Sequence, residues 1–127
     1  LGGLDVRLLV PKMSDPWCVT QAARSYFDEL LHAGVKIYEY GPRMLHTKAF
    51  IADDDVCIVG SANFDHRSFR LNFELSMMIS DRDRVAALAE LLQGEFDRAT
   101  RVHDQAGRSL WLHRLPEAFA RLASPLL

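Results

Sequence analysis

RMLHTKAFIADDDVCIVGSAN, residues 43–63, decides how this chain is read. Two apolar stretches, His46–Ala52 and Val56–Gly60, alternate in strand fashion on either side of a tight acidic turn at Asp53–Asp55, which predicts a β-hairpin. Side chains two apart on a strand share a face, so His46 and Lys48 project together while Thr47 and Ala49 point the other way. Gly60-Ser61-Ala62-Asn63 closes the second strand; the glycine permits a turn there, and Ser61 and Asn63 aim short polar groups back at the same end. The following "LNFEL" is predicted as another strand and places Glu74 on it. A histidine, a cation, two hydrogen-bonding side chains and a supporting carboxylate are the groups that attack on a phosphodiester requires. The imidazole serves as nucleophile or as general acid and base near neutral pH. Lys48 and Asn63 would stabilise charge developing on the non-bridging oxygens, and a carboxylate on the far ring nitrogen would fix the tautomer.

Outward from the hairpin, the chain alternates helix and strand. Val6–Val10 is an apolar strand of the kind found in a buried parallel sheet. Asp15 and Pro16 supply a helix start, Val19, Ala22, Ala23, Tyr26, Phe27, Leu30 and Leu31 recur at helical spacing, and Gly34 stops the helix. "VKIYEY" is the next strand and "GPR" ends it. "SANFDHRSFR" is a polar loop, and "LNFELSMMIS" returns as a strand with Met77 and Met78 in the core. Ser80-Asp81-Arg82-Asp83 opens a second long helix with the face Val85, Leu88, Ala89, Leu92, Phe96 and Ala99. Ser109–Leu127 is a third, shorter helical stretch. The order implies an α/β layered fold, with helices packed over a mixed sheet.

Composition sets the class. With 127 residues, 49% hydrophobic and 25% charged, the chain is ordinary for one globular domain, and its formal net charge of −2 gives no basic footprint for nucleic acid. Cys18 and Cys57 have no zinc spacing and are expected as reduced, buried thiols. No apolar run reaches the roughly 18 residues of a membrane span. The opening "LGGLDVRLLVP", without Met and almost at once in a strand, suggests a piece of something longer.

The pattern H-x-K-x-x-x-x-D, then G-S-x-N after six intervening residues, resembles the signature of the phospholipase D superfamily at His46, Lys48, Asp53, Gly60, Ser61 and Asn63. "ARSYFDELLHAGVKIYEY", "GSANFDHRSFRLNFEL" and the terminal "SPLL" are similar to the carboxyl-terminal half of bacterial cardiolipin synthases, over most of residues 4–80 and again at the last few residues. The resemblance implies a phospholipase D-like layered sandwich, one half of a two-motif fold, with the first strand and helix of that half missing here. It implies residues 1–104 as the catalytic half and 105–127 as an amphipathic tail. It implies phosphatidyl transfer between two phosphatidylglycerol molecules, with glycerol released through a phosphohistidine, no metal and no cofactor. His46 would then act as acid and afterwards base, Lys48, Ser61 and Asn63 would bind phosphate, Glu74 would support the histidine, and Asp53 would act structurally or electrostatically. The partners implied are the missing amino-terminal half or a second copy of the chain, and an anionic membrane surface at the bacterial cytoplasmic membrane. The competing readings are a homodimeric single-motif phosphodiesterase, either a phospholipase D or a nuclease, and a non-catalytic lipid-binding domain.

The other chemistry-bearing residues have plainer readings. Asp53-Asp54-Asp55 is expected to be a solvated turn and not a metal site. His32 falls near a helix C-terminus, where a cation is favourable. His103 and His113 are expected at the surface, and Trp17 and Tyr26 in helix packing, with lipid contact as the alternative. His66, in the loop after Asn63, reads as an ordinary polar residue by default, with lining of the site as the alternative. Arg67 and Arg70 suit either a lipid phosphate or a salt bridge to Asp65 or Glu74. In the tail, Leu110, Trp111, Leu112, Leu115, Phe119, Leu122, Leu126 and Leu127 stand among Arg108, Arg114 and Arg121, a pattern that fits an anionic membrane interface and a helix docked on its own domain equally well.

Overall fold

In the computed structural model, which describes residues 3–13, 20, 23–62 and 73–103, the leading apolar strand is β1 (Arg7–Pro11). It pairs in parallel with β2 (Lys36–Tyr40), from Arg7 opposite Lys36 to Pro11 opposite Tyr40. A parallel pair needs a crossover, and α1 (Phe27–His32) lies in it. Gly34 ends this helix as expected, and its φ of +89° shows why a glycine is required. In that left-handed conformation the Gly34 N–H reaches the Leu31 carbonyl at 2.9 Å and the Val35 N–H reaches Leu30 at 3.0 Å, which satisfies two carbonyls the helix end leaves over. His32 closes the last turn with Nδ1 2.7 Å from the Asp28 carbonyl. The expected helix start at Asp15 and Pro16, with Trp17 and Cys18, lies outside the described residues.

The chain divides into two compact units, Leu1–Leu45 with Arg98–Leu127, and His46–Asp97. The sheet of the first is β1-β2-β6, where β6 (Thr100–Arg101) runs antiparallel to β2. This two-residue strand has no apolar alternation and was not expected. Ile37 and Tyr40 point to opposite faces of β2, yet they are 0% and 2% exposed, so the central strand is covered on both sides. β1 is only half-buried, less than its apolar sequence implies. Phe27 of α1 completes this core.

At the open end of the first unit, Asp5 accepts from Arg7 Nη2 at 2.8 Å and from Lys36 Nζ at 2.6 Å. Those hydrogen bonds, Arg7's first and Lys36's second, lower the Asp5 carboxyl to about 2 from the usual 3.8. Because the folded value lies below the unfolded one, the contribution of Asp5 to stability is present above the unfolded value and is lost as pH falls towards 2. A carboxyl-detected NMR titration is expected to find Asp5 as the late-titrating group. An Asp5→Asn variant should lack this part of the acid dependence, and titration of Asp5 at the ordinary position would contradict the account.

The second unit carries the hairpin. β3 (Ala49–Ala52) pairs antiparallel with β4 (Val56–Gly60), and β4 with β5 (Ser76–Ile79). The mixed sheet is therefore confined to the first unit, and this second sheet of three strands is wholly antiparallel. Ile51, Cys57 and Ile79 stand in cross-strand register on one face, and α2 (Arg82–Phe96) packs on it. Cys57, 1% exposed and a free thiol, and Val85, 0% exposed, mark the contact. Met77 and Met78, expected in the core, are instead 61% and 71% exposed. β5 ends the described sheet, Met78 shares the face opposite α2 with Phe50 and Ile58, and Met77 lies beyond what α2 covers.

Helix α2 follows the expected face: Val85 is buried, and Leu88, Ala89, Leu92 and Phe96 are half-buried. Its N-cap is Asp81, whose carboxylate accepts from the Arg84 N–H at 3.0 Å. Replacement Asp81→Ala leaves that donor without its cap and is expected to cost about 1 kcal/mol, read as a lower urea midpoint at unchanged m-value. No helix among the described residues is long and apolar enough to cross a membrane. The tail, 109–127 with His113, lies outside those residues.

Candidate active site

His46, Lys48, Ser61 and Glu74 all belong to the second unit. His46 and Lys48 lie just ahead of β3, three and one residues before its first paired position, so the strand starts later than its apolar pattern implies. The backbone still holds Lys48 in line, because its carbonyl accepts from the Gly60 N–H at 3.1 Å. That bond sets the start of β3 beside the end of β4, where Ser61 follows.

Two side-chain pairs result. Lys48 Nζ is 2.7 Å from His46 Nε2, and it donates a second bond to the His46 carbonyl oxygen at 3.1 Å. With Lys48 protonated, Nε2 is the acceptor and the ring proton resides on Nδ1. Ser61 Oγ donates to Glu74 Oε2 at 2.5 Å and itself accepts from the Leu75 N–H at 3.0 Å. The Ser61 N–H in turn reaches the Leu75 carbonyl at 2.9 Å. His46 and Ser61 are exposed, Lys48 and Glu74 half-buried. The arrangement offers an imidazole, an ammonium, a hydroxyl and a carboxylate at the strand ends of one small sheet, open to a ligand.

Two sequence expectations need correction. Glu74 was expected on a strand but lies two residues before β5, in backbone without regular structure. Its carboxylate is anchored by Ser61 across to β4. Gly60 was expected to permit a turn, yet it is the last residue of β4, paired with Ser76. What it permits is close approach: a Cβ there would lie 2.5 Å from the Leu75 carbonyl oxygen and 2.8 Å from Ser76 Cα. The backbone of Leu75, which braces Ser61, was not foreseen, since a main-chain donor and acceptor leave no trace in residue type.

Asp53 sits in the turn at the far end of the hairpin, with about 13 Å of strand between Lys48 and Ala52. Its φ of 50° is a left-handed conformation that aspartate tolerates better than most residues. Asp55 in the same turn accepts from Arg82 at 2.9 Å, tying the turn to the first residue of α2. The acidic run is thus a hairpin turn, as expected. Asn63, His66, Arg67 and Arg70 lie outside the described residues. His103 is exposed, as expected, and borders a cleft of about 230 Å³ in the first unit. That cleft holds the half-buried ion pair Arg24–Glu39, at 2.8 Å, whose charges offset each other.

Comparison with known proteins agrees with this architecture. Nuc from Salmonella typhimurium, a phospholipase D family member of known structure, superposes with a TM-score of 0.70 at 17% identity, covering 80% of this chain and 66% of that one. The fold is therefore that of the phospholipase D family. In sequence, cardiolipin synthase 2 of Bacillus cereus is 44% identical over 128 residues, all of this chain and 25% of that protein. Cardiolipin synthase A of Pseudomonas entomophila is 40% identical over 130 residues, again all of this chain and 27% of that protein. The family described as "Cardiolipin synthase, PLD-like domain" matches residues 2–100, and the chain belongs to it. It spans about a quarter of the length of these curated relatives.

Proposed function

We propose that this chain is the catalytic C-terminal half of a phosphatidyltransferase that makes cardiolipin from two phosphatidylglycerol molecules. Residues 1–104 form the catalytic half and 105–127 an amphipathic tail. The observation that carries the reading is the Lys48 Nζ–His46 Nε2 contact at 2.7 Å, joined through the Gly60–Lys48 backbone bond to the Ser61–Glu74 pair. The curated relatives, named as cardiolipin synthases over the whole of this chain, support it.

The reaction runs in two steps. One histidine nitrogen attacks the phosphorus of phosphatidylglycerol; an N–P bond forms, the P–O bond to glycerol breaks, and a second histidine gives the leaving oxygen its proton. A hydroxyl of the second phosphatidylglycerol then surrenders its proton to that same histidine and attacks phosphorus, and the N–P bond breaks to release cardiolipin. His46 is assigned the acid and then the base role. Lys48 and Asn63 hold the phosphate oxygens and offset the charge that builds on them, and Ser61 joins them by turning its single hydroxyl proton from Glu74 to phosphate while the Leu75 N–H keeps hold of its oxygen. Glu74, fixed by Ser61, is the supporting carboxylate, and Asp53 contributes structurally through the hairpin turn. The second histidine comes from the amino-terminal half of the parent protein or from a second copy of the chain. The site acts at an anionic bilayer, reached through the tail or through other parts of the parent protein.

Product stoichiometry tests this. Phosphatidylglycerol vesicles given to the parent-length protein should yield cardiolipin and glycerol in equal molar amounts by mass spectrometry. Phosphatidic acid with glycerol would make water the acceptor and the protein a hydrolase. The absence of any lipid product would favour the homodimeric phosphodiesterase.

A further inference from the structure

The geometry points to a self-masked resting state, in which Lys48 occupies the reactive nitrogen of His46 until an anionic phosphodiester draws it away. Lys48 carries three N–H donors. Two are spent on a single residue, one on His46 Nε2 at 2.7 Å and one on the His46 carbonyl at 3.1 Å. In this arrangement Nε2 has no proton to give and its lone pair is engaged, so His46 works neither as acid nor as nucleophile from that atom. The mask therefore holds whichever histidine role applies. Among the described residues the third ammonium proton meets no acceptor, and it is left for an incoming phosphate oxygen. A charged oxygen is a stronger acceptor for an ammonium than a neutral imidazole nitrogen, so the phosphate that enters captures Lys48 and frees Nε2, which takes a proton from solvent before it serves as acid. Both side chains have room for it, His46 being exposed and Lys48 half-buried. Lys48 thus positions His46 before it meets phosphate, and couples exposure of the reactive nitrogen to arrival of the ligand. The inference rests on the phosphodiester reading only for the identity of the releasing anion.

The test reads the nitrogen directly and requires no turnover. Diethyl pyrocarbonate acylates accessible neutral imidazole nitrogens, and peptide mapping by mass spectrometry gives the rate at each histidine. The parent-length protein, Lys48→Met and Lys48→Ala are compared without phosphate at a pH where the rings are neutral. The exposed His103 serves as internal standard in every sample, so the readout is the His46 rate relative to His103. The expected result is a rise of about three- to tenfold in that ratio in at least one variant, the size set by loss of one solvent-accessible, charge-assisted hydrogen bond. An unchanged or lower ratio in both variants would overturn the mask. Because the readout is acylation and not lipid product, a failed mask and a failed transferase reading are told apart.

Discussion

Replacement of His46 by alanine is expected to lower the rate of cardiolipin formation in the parent-length protein by a factor on the order of 10²–10⁴. The group removed is the imidazole whose Nε2 lies 2.7 Å from Lys48 Nζ at the head of β3. On the proposed two-step reaction, its loss leaves the departing glycerol oxygen without a positioned proton donor and the second lipid without a positioned base. Binding should change far less than turnover, because the proposed phosphate ligands Lys48, Ser61 and Asn63 are left in place. The loss therefore falls on kcat and leaves KM within a few-fold. The fold should persist as well, since His46 is exposed and its backbone precedes the paired part of β3. Steady-state rates on phosphatidylglycerol vesicles, with unfolding midpoints as control, decide the matter. A variant that keeps a tenth or more of the rate would remove His46 from the chemistry.

The second large effect is structural. Gly60→Ala places a methyl 2.5 Å from the Leu75 carbonyl oxygen and from Ser76 Oγ, and 2.8 Å from Ser76 Cα. The serine hydroxyl turns aside at little cost, but the carbonyl and Cα are backbone, so β4 and β5 must part at this end. Strain of this kind costs about 1–3 kcal/mol, and here it falls on a sheet that has three strands among the described residues. The bonds nearest the clash are Ser61 N–H to the Leu75 carbonyl at 2.9 Å and Leu75 N–H to Ser61 Oγ at 3.0 Å. Their disruption loosens the Ser61–Glu74 pair, so stability and turnover should fall together. An alanine variant with an unchanged urea midpoint would show that the strands have room to spare.

Much of the site was legible because it is local. His46 and Lys48 are two apart at the start of an alternating run, a spacing that reads as a shared face, and they do meet, at 2.7 Å, although the paired strand begins only at Ala49. The hairpin was equally readable, with β4 matching its expected bounds of Val56–Gly60 and the acidic turn between the strands. Gly34 announced its helix end through a conformation that suits glycine. What escaped the sequence depends on neighbours. Met77 and Met78 look like core residues, but their burial depends on what covers β5, and among the described residues one helix covers only part of one face. Gly60 looks like a turn glycine, while the constraint on it comes from β5, sixteen residues further on. β6 has no periodicity at two residues and exists only through its pairing with Tyr38 and Glu39. Glu74 is among the residues expected in the site, but its attachment to Ser61 depends on a third residue, Leu75, acting through its main chain.

The most direct test of the account is to look for the covalent intermediate. Phosphatidylglycerol labelled in its phosphate is mixed with the parent-length protein and quenched within one turnover, and the protein-bound label is mapped by mass spectrometry. The account predicts a phosphatidyl group on a histidine nitrogen, labile to acid and stable to base. A chase with unlabelled phosphatidylglycerol should carry that label into cardiolipin, and His46→Ala should fail to complete the cycle. Label on a hydroxyl or carboxyl side chain, or cardiolipin formed with no label ever on the protein, would contradict transfer through a two-histidine site.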